Sequence, residues 1–68
     1  MRLPKPPYIT LGQFLKQQSL ISTGGEAKAF LLQNCVQVNG QEENRRGRKI
    51  WLNDRVTINN TVYVVNDI

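Results

Sequence analysis

The sequence contains no histidine and a single cysteine, Cys35, which excludes an internal disulfide and the common cysteine–histidine zinc sites. Because no histidine is present to activate its thiol, Cys35 is expected to be a small residue at the edge of the core in a reducing compartment. Glu42 and Glu43 are adjacent, so in a strand they point to opposite faces and cannot share a reacting group. The sequence therefore predicts no catalysis, no metal and no cofactor.

Long apolar runs are absent as well. No segment approaches the roughly 20 apolar residues of a membrane-spanning helix, and the beginning of the chain lacks a signal-peptide core. We therefore expect a cytoplasmic protein without a membrane partner. Three prolines within residues 1–7 disfavour helix and sheet, so this segment is predicted to be an extended arm. Residues 8–68 are predicted to form one domain, because a chain of 68 residues has room for one core.

Basic residues are in excess. Nine Lys and Arg stand against five Asp and Glu, which gives a net charge of +4 and an isoelectric point near 9.7. Four of the nine lie within five positions, which we name the basic loop (residues 45–49): Arg45, Arg46, Arg48 and Lys49. Like charges this close repel one another, and an anion relieves that repulsion. Phosphate groups of a nucleic acid are the first partner that this pattern indicates, ahead of an anionic membrane surface.

Two short helices are predicted before the basic loop. Thr10 is a candidate N-cap, and Gln13 is placed to complete a capping box with it. The apolar spacing of Leu11, Phe14 and Leu15 predicts a helix that ends near residue 18. Thr23 and Glu26 repeat the capping pattern and predict a second helix over about residues 25–33. Its apolar face would consist of Ala27, Phe30 and Leu31, and Asn34 would adopt left-handed geometry at its end.

From Cys35 onward the apolar period changes to two, which predicts strands. The pairs expected to face the core are Val36 and Val38, Ile50 and Leu52, Val56 and Ile58, and Val62 and Val64. Turns are predicted at Asn39-Gly40, Asn53-Asp54 and Asn59-Asn60. The fold class is therefore α+β, with two short N-terminal helices in a helix-turn-helix-like corner packed on a small, bent, mainly antiparallel sheet.

Further binding candidates lie at the start of the second helix. Gly24 and Gly25 leave backbone N–H groups uncovered at the positive end of a helix dipole, where a phosphate can approach, although the Glu26 carboxylate competes for these amides. Lys28, one turn later, and Lys16, on the polar face of the first helix, would add positive charge. The aromatic residues Trp51 and Tyr63 are expected to pack or to be partly exposed, because no row of aromatics accompanies the basic residues.

Several segments together resemble the RNA-binding domain first named for small-subunit ribosomal protein S-four, and in particular its small stand-alone YaaA/YbcJ-like members. These segments are Thr10 to Leu15 with Leu20, Thr23 to Lys28, Val36 to Gly40, Asn44 to Lys49, and Asp54. The resemblance implies a helix–helix corner lying against a short bent sheet, with structured RNA held at the start of the second helix and by neighbouring loops.

Residue by residue, the resemblance assigns RNA contact to Thr23, which matches the usual Ser or Thr, and to Lys28, which matches a commonly basic position. Two positions depart from the family pattern: Gly24 stands where Arg is frequent, and Gly12 where an acid is common. The loss of a side chain at Gly24 would transfer binding to backbone amides and the basic loop.

We therefore expect a monomeric, non-catalytic protein that binds structured RNA, with ribosomal RNA or a ribosome-assembly particle as the partner that the resemblance implies. No small-molecule substrate is expected. Two alternatives remain open at this point. The helix pair is also the skeleton of a DNA-binding helix-turn-helix module, and, as a third reading, the basic loop would dock on an acidic protein.

Overall fold

A computed structural model describes residues 7–66, so the predicted arm over residues 1–7 lies almost entirely outside the described residues. The chain order of elements is β1 (Tyr8–Thr10), α1 (Leu11–Gln17), a 3-10 turn (Gly24–Glu26), α2 (Ala27–Gln33), β2 (Val36–Val38), β3 (Gln41–Glu42), β4 (Lys49–Trp51), β5 (Arg55–Ile58) and β6 (Thr61–Val64). The predicted α+β class is confirmed. Within residues 7–66, neither helix has the length or apolar character to cross a membrane.

The first element is a strand, which the sequence pattern did not reveal. β1 pairs antiparallel with β4, with Tyr8 opposite Trp51 and Thr10 opposite Lys49. Only three residues separate Pro7 from α1, too few for a period of two to be recognised. The expectation that the chain begins its fold with helices therefore needs this correction: the helices precede the larger sheet but follow β1.

The larger sheet contains four antiparallel strands in the order β3-β2-β5-β6. Its two hairpins are closed by the predicted turns, in which both central residues have positive φ: 52° and 84° at Asn39-Gly40, and 49° and 74° at Asn59-Asn60. Asparagine and glycine tolerate this left-handed backbone, which matches the twist of the flanking strands. The third predicted turn is also present, with Asn53 at a φ of 74°.

The core lies between the helices and the inner faces of both sheets. It contains Leu11, Phe14, Leu15, Ile21, Ala27, Leu31, Val36, Val38, Ile50, Val56, Ile58 and Val65. The predicted inward positions on α1, β2 and β5 are thus confirmed, and so are Ala27 and Leu31 on α2, whereas Phe30 is partly buried against the core. Ile50 is buried as predicted.

The inward positions predicted for β6 were wrong. Val62 and Val64 are exposed, and Tyr63 and Val65 contact the core instead. Directly paired residues point to the same face of a sheet. Tyr63 pairs with the buried Val56, so the register of β5 and β6 turns Tyr63 toward the core and Val62 and Val64 toward solvent. Leu52 was also placed on the wrong side: it lies in the turn after β4 and is 54% exposed.

The helix ends show one confirmation and two corrections. At the start of α1, the Gln13 N–H donates to Thr10 Oγ1 and the Thr10 N–H to Gln13 Oε1, the predicted capping box. Asn34 is extended, with φ of −128°, and caps α2 by donating from its side chain to the Phe30 carbonyl. Cys35 is exposed rather than at the core edge, because it lies just before β2.

Candidate nucleic-acid interface

The basic loop is joined to the start of α1 by backbone hydrogen bonds. After the β1–β4 pairing ends, the Leu11 N–H donates to the Arg48 carbonyl at 2.8 Å and the Gly12 N–H to the Arg46 carbonyl at 2.9 Å. The first N–H groups of a helix have no acceptor within the helix. Two carbonyl groups of the loop serve as acceptors for two of these N–H groups. The loop is therefore held against the domain although it contains no regular structure between Arg45 and Arg48.

Gly12 lies where three segments meet. A Cβ atom placed on Gly12 would lie 3.4 Å from the Arg46 carbonyl oxygen and 3.6 Å from Ala27 Cβ. The absence of a side chain thus lets the basic loop and the start of α2 approach the first turn of α1 closely. This contact accounts for a glycine at a position where the family resemblance implies an acid.

A buried carboxylate, Glu43, organises the charges of the loop. It accepts hydrogen bonds from Arg45 Nε at 3.0 Å and from an Arg48 guanidinium nitrogen at 2.8 Å, and also from the backbone N–H groups of Asn44 and Arg45. The hydrogen bond from the Arg45 side chain lowers the pKa of Glu43 to about 2, although burial acts in the opposite direction. Part of the repulsion between the basic residues is therefore relieved inside the protein.

The sequence did not single out Glu43. Its neighbour Glu42 has the same charge and lies in β3, where it is exposed. Only the position of the chain after β3, which turns Glu43 inward beneath the loop, distinguishes the two residues. The short spacing to Arg45 and Arg48 is the one signal that was available, and it is common on solvated loops.

The four basic side chains have different surroundings. The Arg45 side chain is 72% exposed and that of Arg48 is 32% exposed, although both contact Glu43. Arg46 is exposed and has no carboxylate partner among residues 7–66. Lys49 Nζ lies 5.0 Å from the centre of the Tyr8 ring, a cation–π contact. Arg48 is thus mainly occupied within the protein, whereas Arg46 is available to a ligand.

A shallow cavity of about 390 Å³ connects the basic loop with both helix starts, and we name it the helix-start groove. Its lining residues are Thr10, Gly12, Gln13, Lys16, Gly24, Arg46 and Gly47. Three of the predicted site residues, Lys16, Gly24 and Arg46, therefore meet on one concave surface despite their separation in sequence.

The start of the second helical segment is open toward this groove. Apart from the adjoining backbone, nothing lies within 4 Å of a Cβ placed on Gly24, and at Gly25 only Thr23 Oγ1 does, at 3.9 Å. The predicted competition from Glu26 is not seen, because its carboxylate accepts the N–H groups of Thr23 and Ser22, which lowers its pKa. Thr23 and Gly25 flank Gly24, whereas Lys28 is exposed on α2 outside the groove lining.

A second cavity, of about 640 Å³, lies against other residues of the basic loop, and we name it the tryptophan cavity. It is lined by Asn39, Arg45, Gly47, Arg48, Lys49, Trp51 and Asp54. The predicted partial exposure of Trp51 is confirmed, but its place beside three basic residues was not predicted. Tyr63 instead packs edge-on against Phe14, with ring centres 6.3 Å apart.

Comparison with known proteins agrees with this geometry. The S4 domain family profile matches residues 2–66. A similar protein, the probable ribosome maturation protein RlbA of Bacillus subtilis (strain 168), is 54% identical over 50 residues, which are 74% of this chain and 70% of the relative. The resemblance derived from the helix-start and turn segments is thereby confirmed. The chain belongs to the S4 domain family.

Proposed function

We propose that this protein binds structured RNA, without catalysing a reaction, and acts in ribosome maturation with ribosomal RNA or an assembly particle as its partner. The observation that carries the proposal is the convergence of Lys16, Gly24 and Arg46 on the helix-start groove. Membership of the S4 domain family supports it, and so does a relative named for ribosome maturation.

The groove suits a phosphate backbone. Arg46 and Lys16 supply positive charge from two sides, and the exposed backbone at Gly24 and Gly25 supplies N–H donors at the start of a helical segment. Thr23 adds a hydroxyl beside them, and Lys28 extends the basic surface along α2. Arg45 and Lys49 engage the same RNA from the other cavity, with Arg48 mainly positioning the loop through Glu43.

Recognition rests mainly on backbone shape. The major groove of A-form RNA is too deep and narrow for side chains to read, so charges and amides that match the backbone are the effective contacts. The two helices would form the helix-turn-helix-like corner of the S-four-like fold, against a bent sheet. α2 offers only Lys28 as a long basic side chain, which is too little for reading a DNA major groove.

The remaining parts of the proposal concern the chain as a whole. Residues 8–68 act as one domain, a cytoplasmic monomer that takes no small-molecule substrate. One copy of the chain supplies all the lining residues of both cavities. The proposed RNA contacts therefore do not require a second copy.

Crosslinking in cells, followed by sequencing of the attached RNA, tests the proposal. We expect discrete ribosomal RNA sites with the natural protein and clearly weaker crosslinking at those sites with Arg46→Ala. Arg55→Ala is the matched control, because Arg55 is also exposed, has no carboxylate partner among residues 7–66 and lies on β5 outside both cavities described above. Recovery of no RNA with the natural protein, or nuclease-resistant capture of an acidic protein, would contradict the proposal.

Salt dependence gives an independent measure. If about four phosphates are engaged, the logarithm of the binding constant should fall against the logarithm of salt concentration with a slope of roughly −3 to −4. Arg46→Ala should make that slope less steep by about 1, and Arg55→Ala should leave it unchanged. Equal affinity for a B-form DNA duplex of the same length would favour the DNA-binding alternative instead.

A further inference from the structure

Trp51, the single tryptophan of the chain, is 46% exposed. Tryptophan is usually well buried, because burying the large apolar surface of its indole ring lowers the free energy of the folded state. Alternation along β4 explains the orientation: Ile50 is turned into the core, so Lys49 and Trp51 share the outer face. The exposed ring therefore stands beside a basic residue on a folded strand.

The position of Trp51 is held by two contacts. Its ring lies against Tyr8, with centres 5.0 Å apart and planes inclined at 49°. Its backbone N–H donates to Asp54 Oδ2 at 2.8 Å. A ring held in this way loses little freedom when a second planar group stacks on it, so the arrangement favours binding.

The charged residues of the tryptophan cavity provide different surroundings for the phosphate and for the base of a nucleotide. Arg45, Arg48 and Lys49 attract a phosphate, whereas the Asp54 carboxylate repels one. Asp54 Oδ1 accepts from Asn39 Nδ2 and Oδ2 accepts from the Trp51 N–H, which leaves acceptor capacity on each oxygen. That capacity suits the N–H donors on the edge of a base.

We infer that the tryptophan cavity binds one unpaired nucleotide of the RNA, with its base stacked on Trp51 and its phosphate against the basic loop. This inference rests on the proposed function and deepens it. The base must be unpaired, because within a duplex both of its faces are covered by neighbouring pairs. The cavity volume of about 640 Å³ lies within the range of roughly 300–1,000 Å³ that is usual for small-ligand sites.

The RNA would then be held at two places. Its paired backbone lies along the helix-start groove, and the unpaired nucleotide enters the tryptophan cavity across the basic loop. Gly47 lines both cavities, so the two contacts are neighbours on the surface. The substrate class is therefore a helix that carries a bulge or ends in a loop, rather than an uninterrupted duplex.

The test uses two end-labelled RNA hairpins of equal length, one fully paired in its stem and one with a single bulged nucleotide. Binding is followed by anisotropy of the RNA label and by the fluorescence of Trp51, which is free of other indole signals. We expect tighter binding of the bulged hairpin and quenching of Trp51 by it alone.

Variants separate stacking from folding. Trp51→Ala should weaken binding of the bulged hairpin by about 5- to 100-fold and leave the paired hairpin nearly unaffected, whereas Trp51→Phe should retain part of the preference. Leu52→Ala, an exposed neighbour outside the cavity lining, is the matched control and should change neither affinity. Circular dichroism confirms that each variant is folded.

The outcomes distinguish this inference from the proposed function. If both hairpins bind equally and Trp51 emission does not change, the protein binds RNA but the inference is wrong. A preference for the bulged hairpin that survives Trp51→Ala overturns it as well. If neither hairpin nor any ribosomal RNA fragment binds the natural protein, the proposed function itself fails.

Discussion

The backbone N–H of Gly12 donates to the carbonyl of Arg46 at 2.9 Å, which joins the first turn of α1 to the middle of the basic loop. The two residues are 34 positions apart in the sequence. The charged segment is therefore positioned by a helix start as well as by its own turn, in which the Arg48 N–H donates to the Arg45 carbonyl at 3.2 Å. The size of the residue at Gly12 determines how closely the loop can approach α1.

The effect of a substitution at Gly12 on stability should depend on the size of the new side chain. Gly12→Ala adds a Cβ at ordinary contact distance from Arg46 and Ala27, and alanine favours helix over glycine, so we expect unchanged or higher stability, by up to about 1 kcal/mol. Gly12→Val adds two more methyl groups at the same junction and should destabilise by roughly 1–3 kcal/mol. Urea unfolding measures both. Equal stability of the two variants would show that the junction is not tightly packed.

Glu43→Gln should weaken the loop in a pH-dependent way. The pKa of Glu43, about 2 in the folded protein, lies below its ordinary value of 4.5, so the ionised group contributes stability that is full above about pH 4.5 and lost as the pH falls toward 2. At pH 7 we expect a cost of roughly 1–3 kcal/mol. The difference between the natural protein and the variant should shrink across that acidic range.

Glu42→Gln is the control for this experiment, since Glu42 is exposed and forms no ion pair within residues 7–66. It should change the free energy of unfolding by no more than about 0.5 kcal/mol. A cost that is the same for both glutamates, or independent of pH between 2 and 7, would contradict the role assigned to Glu43.

Substitutions of Arg46 and Arg48 should have different effects: one should lower RNA affinity and the other should lower the stability of the fold. Arg48→Ala removes a partner of Glu43 and should cost roughly 1–2 kcal/mol of stability. Arg46→Ala removes an exposed side chain from the helix-start groove, so its stability should change by less than about 0.5 kcal/mol while RNA affinity falls. Thermal unfolding and RNA binding are measured on both variants. A loss of stability in Arg46→Ala equal to that in Arg48→Ala would contradict this division.

The turn between β5 and β6 should respond to backbone preference. Asn60 has a φ of 74°, and glycine adopts this geometry without steric cost, so Asn60→Gly should be neutral or stabilising by about 0.5 kcal/mol. Asn60→Val should destabilise by about 1–2 kcal/mol, because a β-branched residue clashes in the left-handed region. Denaturation midpoints that are the same for both variants would contradict the turn geometry.

Local signals in the sequence predicted much of the fold. The capping box at Thr10, the apolar spacing of α1 and the Asn-Gly turn each depend on residues within a few positions of one another. What failed depended on how one strand pairs with another. The inner face of β6 was assigned wrongly because the opposite residue on β5, and not the alternation alone, decides which side chains are buried.

The candidate site divides in the same way. Lys16, Gly24 and Arg46 were named as separate features, and their meeting in one groove follows from the backbone hydrogen bonds between α1 and the basic loop. Trp51 was not recognised as part of a cavity, because β1, whose Tyr8 packs against the Trp51 ring, is too short to identify from its pattern. The contribution of each residue to RNA binding stays a prediction.

The bonds from Leu11 and Gly12 to the basic loop give two amides whose hydrogen exchange reports on the loop. Their protons can exchange with solvent only when the loop separates from α1. A bound RNA that clamps the loop would slow this exchange, and one that pulls the loop outward would accelerate it. Exchange at these two amides therefore shows whether the basic loop of the free protein already has the position that it has when RNA is bound. The measurement requires no substitution of a charged residue.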